Sequence, residues 1–175
     1  YFEFRDGTGS AGGAATPGLG IIELPPGTNP TDQSPAAREG RAAPNFRLAT
    51  ADEAGTATLA EYRGKYVLVN FWASWCGPCA EETPDLQAFH EQHSDRVVVL
   101  GVNQQEQPGA ARDFLARFGV TYPVVLDRSG EVSQAYGVGR GLPISFLVDP
   151  AGVVEKVVFG RLTEDHFADF EARLK

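Results

Sequence analysis

The sequence has no methionine, only two cysteines and only three histidines among its 175 residues. Each scarcity excludes something. A structural zinc site takes four ligands, usually two cysteine pairs or one pair with histidines. The histidines are His90, His93 and His166, and the first two fall about four turns beyond the cysteines on one helix, too far to close a tetrahedron. No metal and no cofactor is expected. No stretch of 18 or more apolar residues occurs, so nothing in the sequence reads as a membrane span. Basic stripes are missing too. The net charge of −8 argues against nucleic acid and serves solubility instead. A basic-then-apolar leader is also lacking. With Tyr1 first and no methionine, the expectation is that a signal peptide or anchor upstream has been removed.

What is there begins with an apolar fraction of 42%, enough for a sizeable core, and a length that suits one domain with appendages. Residues 1–41 stand apart in composition, as in Gly7-Thr8-Gly9-Ser10-Ala11-Gly12-Gly13 and Pro25-Pro26-Gly27. Such a segment buries too little apolar surface to offset its ordering entropy and reads as a flexible linker or tether. Its one sticky patch, Ile21-Ile22-Glu23-Leu24, is the part able to dock. Residues 42–175 form the expected domain.

Both cysteines lie in Trp75-Cys76-Gly77-Pro78-Cys79. The apolar run Tyr66–Trp72 before them reads as a strand buried on both faces, and Ala80–Gln92 after them as a helix. The thiols therefore sit where a strand becomes a helix. Unpaired N–H groups and the positive end of the helix dipole stabilise a thiolate there. Cys76 is thus the expected nucleophile, with affinity for its proton below the ordinary thiol value of about 8.5. Cys79, one turn in, is the expected resolving thiol. A static bridge across two residues would constrain the unfolded chain little, so a reversible dithiol couple is favoured.

Further along, Ala43–Leu48 and Thr56–Leu59 predict a hairpin, Ala60–Gly64 a helical turn, and Arg96–Val102 a second buried strand. Pro108–Phe118 predicts an amphipathic helix stopped by Gly119. Strand 124–126, helix 131–136, strands 144–148 and 153–159, and a last helix capped by Thr163 complete the order. Strands alternating with helices predict an α/β fold with a mixed sheet, carrying an N-terminal β-hairpin extension.

That order, with its Trp-Cys-Gly-Pro-Cys turn and a later X-Pro before a hairpin, resembles the thioredoxin fold. More narrowly it resembles the extracytoplasmic thiol-disulfide oxidoreductases of the TlpA/ResA/CcmG type, relatives of the redoxin group. The segments carrying this are Ala43–Leu48, Val69–Trp75, Glu81-Glu82-Thr83-Pro84 and Leu142–Asp149. The resemblance implies a disulfide reductase with Cys76, Cys79 and Glu82 catalytic, Glu82 tuning the thiols. It implies a substrate surface of Trp75, Gly77, Pro78, Leu142 and Pro143. Pro143 matches the cis-proline facing the cysteines, leaving the backbone of Leu142 free for a substrate segment. Pro84 matches a kink in the active-site helix. Asn70 replaces the buried aspartate of ordinary thioredoxins and counts against a cytosolic role. The Gly-Pro pair matches thioredoxin, a reductant near about −270 mV.

The implied partners are a disulfide-containing protein, such as apocytochrome c, and a membrane thiol donor. The implied setting is extracytoplasmic, the bacterial periplasm or the outer face of the cell membrane, with a tether before Tyr1 and a monomeric state. Two other readings stand beside this one. A thiol peroxidase of the redoxin group would want Pro-x-x-x-Thr-x-x-Cys, which residues 69–76 lack. A non-catalytic peptide-binding module would leave the cysteine pair without a purpose.

Overall fold

Apolar residues in Tyr66–Trp72 (β4) and Val97–Gln104 (β5) are continuous because both strands are central and covered on both faces. The computed structural model describes residues 18–174. The Gly- and Ala-rich start of the expected linker and Lys175 lie outside the described residues. The elements run Gly20–Ile21 (β1), Phe46–Thr50 (β2), Thr56–Thr58 (β3), a 3-10 turn at Leu59–Tyr62, β4, Gly77–His93 (α1), β5, Pro108–Phe118 (α2), Val124–Asp127 (β6), Glu131–Ala135 (α3), Ile144–Val148 (β7), Val154–Phe159 (β8) and Glu164–Arg173 (α4).

The sheet order is β1-β2-β6-β5-β4-β7-β8, with β3 paired to β2. β4, β5 and β6 run parallel, joined through α1 and α2, while β7 and β8 return antiparallel on the far side of β4. β2 and β3 pair antiparallel around the 51–55 turn, and β2 also bonds β6, so this pair is continuous with the sheet. This is a mixed α/β sheet flanked by helices.

One packing detail fixes the end of β4. A side chain at Gly101 would meet the Trp72 indole nitrogen at 3.1 Å and Val124 at 3.1 Å, so glycine lets β5 lie close against that ring where a Cβ would press its neighbours back by a few tenths of an ångström. Trp72 then stacks on Phe114 of α2 at 4.6 Å. Gly119 ends α2 with φ 62°, its N–H returning to the last turn, as expected for a left-handed stop. On the other side, Phe89 of α1 meets Phe167 and Phe170 of α4 at 5.3 and 6.3 Å. Such contacts add to the roughly 25 cal/mol per Å² that burial itself contributes.

Order extends to Gly20 on the N-terminal side. Gly20–Ile21 pairs with β2, Ile22 N donates to Asn45 O at 3.0 Å, and Ile21 N donates to Glu131 Oε1 at 3.2 Å. The sticky patch of the sequence lies here. Asn45 is the pin: buried, it donates from Nδ2 to Glu23 O and accepts at Oδ1 from Ala60 N.

Two of the three histidines meet partners near helix ends. His93 Nε2 lies 3.1 Å from Glu171 Oε1, and His166 Nδ1 accepts from Thr163 N at 3.0 Å, closing the cap of α4. The first contact is tertiary, 78 residues apart, and the second is local, three residues apart within the cap.

Candidate active site

Ligand sites of parallel sheets gather beyond the carboxyl ends of the strands. Here four ends converge. β4 ends at Trp72, which pairs in register with Asn103 near the end of β5. Gln104 pairs with Asp127 at the end of β6. Phe71 pairs with Ile144 at the start of antiparallel β7, bringing Pro143 to the same rim. The loops 73–76, 105–107, 128–130 and 137–143 thus share one edge.

Cys76 is the N-cap of α1, with extended φ −88° and ψ 110°. Pro78 occupies the second helical position, where a missing N–H removes no bond. The Cys76 sulfur accepts from Cys79 N at 3.2 Å, the place a serine or aspartate oxygen takes in an ordinary cap. The two sulfurs are joined as a disulfide, with Cα atoms 5.2 Å apart. Cys76 is 4% exposed and Cys79 1%, while Gly77 and Pro78 are open. Trp75 is 62% exposed, a rim residue and not core. Trp72 is buried beneath, its indole N–H without a partner among the described residues.

Pro84 lies inside α1, which continues to His93. The helix therefore passes through the proline, and the carbonyl four residues back, on Ala80, loses its helical donor. Thr83 Oγ1 donates to Cys79 O at 2.7 Å one residue before the break.

Glu82 is wholly buried, one turn past Cys79 on the same helix face. Its Oε1 accepts from Asn70 Nδ2 at 2.7 Å and its Oε2 from Leu162 N at 2.7 Å. Asn70 also donates to Ser145 Oγ at 3.0 Å. Burial pushes the Glu82 carboxyl up from 4.5 to about 7; the Leu162 N–H, the Asn70 amide and the charge of Arg161 oppose that, and Asp85 adds to it. A carboxyl near 7 can both hold and release a proton at neutral pH. Tyr122, buried nearby, has its phenol raised, first by burial and then by the Glu82 charge.

The Leu142–Pro143 bond is cis. Leu142 differs from expectation in one respect. Its N–H donates to Arg140 O at 3.0 Å, because the tight 140–142 turn folds back on itself, so its amide is not free. Pro143 O accepts from Gly160 N at 2.9 Å, tying the loop to the end of β8, where Phe159 stands 77% exposed.

Sequence reasoning missed Glu106. Its carboxylate accepts from Ser74 N at 2.8 Å, from Ser74 Oγ, and from Asn103 Nδ2 at 2.6 Å, anchoring the loop that leads into Cys76. Ser145 and the Leu162 N–H were missed likewise. None of these has a spacing signal, since each reaches the site across the sheet.

Residues 38–174 match the Redoxin family. The chain belongs to that family. A thiol-disulfide oxidoreductase ResA of Geobacillus thermodenitrificans (strain NG80-2) is 40% identical over 127 residues, 72% of each chain. The ResA of Bacillus subtilis (strain 168) is 38% identical over 138 residues, 78% of this redoxin and 76% of that one. Among solved structures, a DsbE-type thiol:disulfide interchange protein from Chlorobium tepidum superposes with a TM-score of 0.72 at 32% identity, covering 79% of this chain and 99% of that one. StoA from Bacillus subtilis gives 0.62 at 32% identity, covering 73% and 96%. The redoxin is a thioredoxin-fold thiol-disulfide oxidoreductase whose substrate class is disulfide-containing protein.

Proposed function

We propose that this redoxin is a reductant of disulfides in exported proteins, working outside the cytoplasm, with Cys76 as attacking and Cys79 as resolving sulfur. In the dithiol form the Cys76 thiolate attacks one sulfur of the substrate disulfide. That bond breaks, one substrate thiolate leaves, and a mixed disulfide forms on Cys76. Cys79 passes its proton to Glu82 and attacks the Cys76 sulfur. The second substrate thiolate leaves, and the chain ends with the Cys76–Cys79 bond.

The observation that carries this reading is the pairing of the two sulfurs, capped by an amide, with a fully buried carboxyl one turn on. Trp75, Gly77, Pro78, the carbonyl side of Leu142 and Pro143 form the surface on which the substrate lies. The Gly-Pro spacer of thioredoxin supports the reducing direction. Apocytochrome c is the substrate type that fits, and a membrane thiol protein must return two electrons per cycle. Residues 1–41 act as a linker to an upstream tether, with Gly20–Ile21 paired to β2, and the domain works as a monomer.

Reduction of insulin by dithiothreitol, followed by turbidity, tests the activity. Catalytic amounts of the full chain are expected to shorten the lag, and Cys76→Ser to restore the uncatalysed lag. An unchanged lag with the intact chain would overturn the reading.

A further inference from the structure

Beside the disulfide lies a cleft of ≈ 670 Å³ bounded by Trp75, the strand end at Gln104–Gln105, the Ser133–Gln134 turn of α3 and the Val138–Arg140 loop. It opens where Trp75, the residue before Cys76, meets the loop before Pro143, within reach of residues neighbouring a cysteine attached to Cys76. Its wall is set by bonds. Gln104 Nε2 donates to Gly139 O at 3.1 Å and to Val138 O at 3.4 Å, fastening the loop to β5.

The charge of this cleft runs against the chain as a whole. In a sequence of net charge −8, no carboxylate lines it, and Arg140 does. The acidic groups nearest in sequence are turned to other tasks. Glu106 holds Ser74 and Asn103, Glu131 accepts from Ile21 N, and buried Asp127 caps α3 through the N–H groups of Val132 and Ser133. Some arginines meet carboxylates, Arg112 with Glu53, Arg161 with Glu81 and Arg173 with Asp169 and Glu155, while Arg47 and Arg128 are held by the neutral side chains of Thr58 and Gln107. Arg140 is exposed and its guanidinium has no hydrogen-bond or ion-pair partner among the described residues. Adding a side chain at flanking Gly139 or Gly141 would meet nothing within 4 Å, so the space around it is open. A planar guanidinium in open polar surroundings is matched by a carboxylate, which it binds through two parallel N–H donors.

We propose that Arg140 makes this cleft a specificity subsite for an acidic side chain, Asp or Glu, lying within a residue or two of the attacked cysteine in the disulfide substrate. This deepens the reading of the chain as a disulfide reductase and rests on it. Opposite charges across an interface act on encounter and register, so the preference appears in kcat/KM and fades with salt.

The test uses the full chain, reduced beforehand and freed of reductant, in single turnover against three peptides. These carry one intramolecular disulfide and differ only in Glu, Gln or Lys beside the first cysteine. Two electrons pass from the dithiol to the peptide, so each turnover oxidises one chain and frees two peptide thiols. At low ionic strength the Glu peptide is expected to react about 5-fold faster than the Lys peptide, the scale of an exposed ion pair gained against one repelled. Arg140→Gln is expected to bring that ratio to about 1, Arg140→Glu to invert it, and Arg140→Lys to keep part of it. A Glu-to-Lys ratio of about 1 in the intact chain, or one untouched by Arg140→Gln, would overturn the subsite while leaving the reductase reading in place. A chain that reduces none of the peptides would overturn the reductase reading, and the subsite with it.

Discussion

Two carboxylates flank the disulfide from different sides, and their surroundings divide their roles. Glu82 lies behind it on α1, closed from water and facing two uncharged N–H donors. Glu106 lies in front on the loop after β5, half-buried, holding the backbone and hydroxyl of Ser74 and the amide of Asn103. The same functional group does two things. In the closed place two neutral donors do not offset the lost hydration of the charge, and the proton becomes mobile near neutrality. In the open place the carboxylate acts as a hook for a loop. Residue type alone does not separate these; burial does.

The sharpest way to break the contrast is Glu82→Gln. The resolving step at pH 7 is expected to slow by roughly 100-fold, the scale of a lost general base, and the rate inflection near 7 to vanish. Rapid-quench separation of mixed disulfide from product checks it. Under the same assay Glu106→Gln is expected to keep the inflection. If both variants kept it, the proton role of Glu82 would be wrong.

Next in size is a stability effect with a sign. The folded chain holds the Glu82 proton more tightly than the unfolded one, about 7 against 4.5. Stability from this group is therefore fully present below 4.5 and is lost as pH rises through about 7. The difference amounts to roughly 3 kcal/mol. Denaturant titrations at pH 5 and pH 8 are expected to show Glu82→Gln gaining on the wild type at the higher pH by a large part of that amount.

Smaller again, Glu106→Ala leaves the Ser74 N–H and the Asn103 amide without this partner. A loss of about 1 kcal/mol is expected in the same titrations. Ser145→Ala removes only the acceptor behind Asn70, with an expected loss of about 0.5–1 kcal/mol and a slight shift of the Glu82 inflection.

The same contrast shows how far the sequence could be read. β4, the cysteine turn and α1 were legible because their signals are local: an unbroken apolar run, a proline at the second helical position, helix formers after it. Glu82 was legible by resemblance to its family, not by pattern, since Glu81 beside it is exposed and salt-bridged to Arg161. Glu106 and Ser145 were not legible at all, because Ser74 lies 32 residues from the first and Asn70 lies 75 from the second, and register across the sheet brings them in. The turn that occupies the Leu142 amide was equally hidden, being set by backbone geometry between two glycines. Composition read residues 1–41 as linker without indicating the β1 pairing, which depends on partners far along the chain, Glu131 and buried Asn45.

The account stands on an ordered division between two sulfurs, and trapping tests it most directly. Cys79→Ala and Cys76→Ala chains, reduced and mixed with a disulfide-bonded protein such as insulin, are quenched with acid and weighed by mass spectrometry. The account expects a stable mixed disulfide on Cys76 in the first variant and little or none on buried Cys79 in the second. Equal adducts on both, or an adduct only on Cys79, would contradict it.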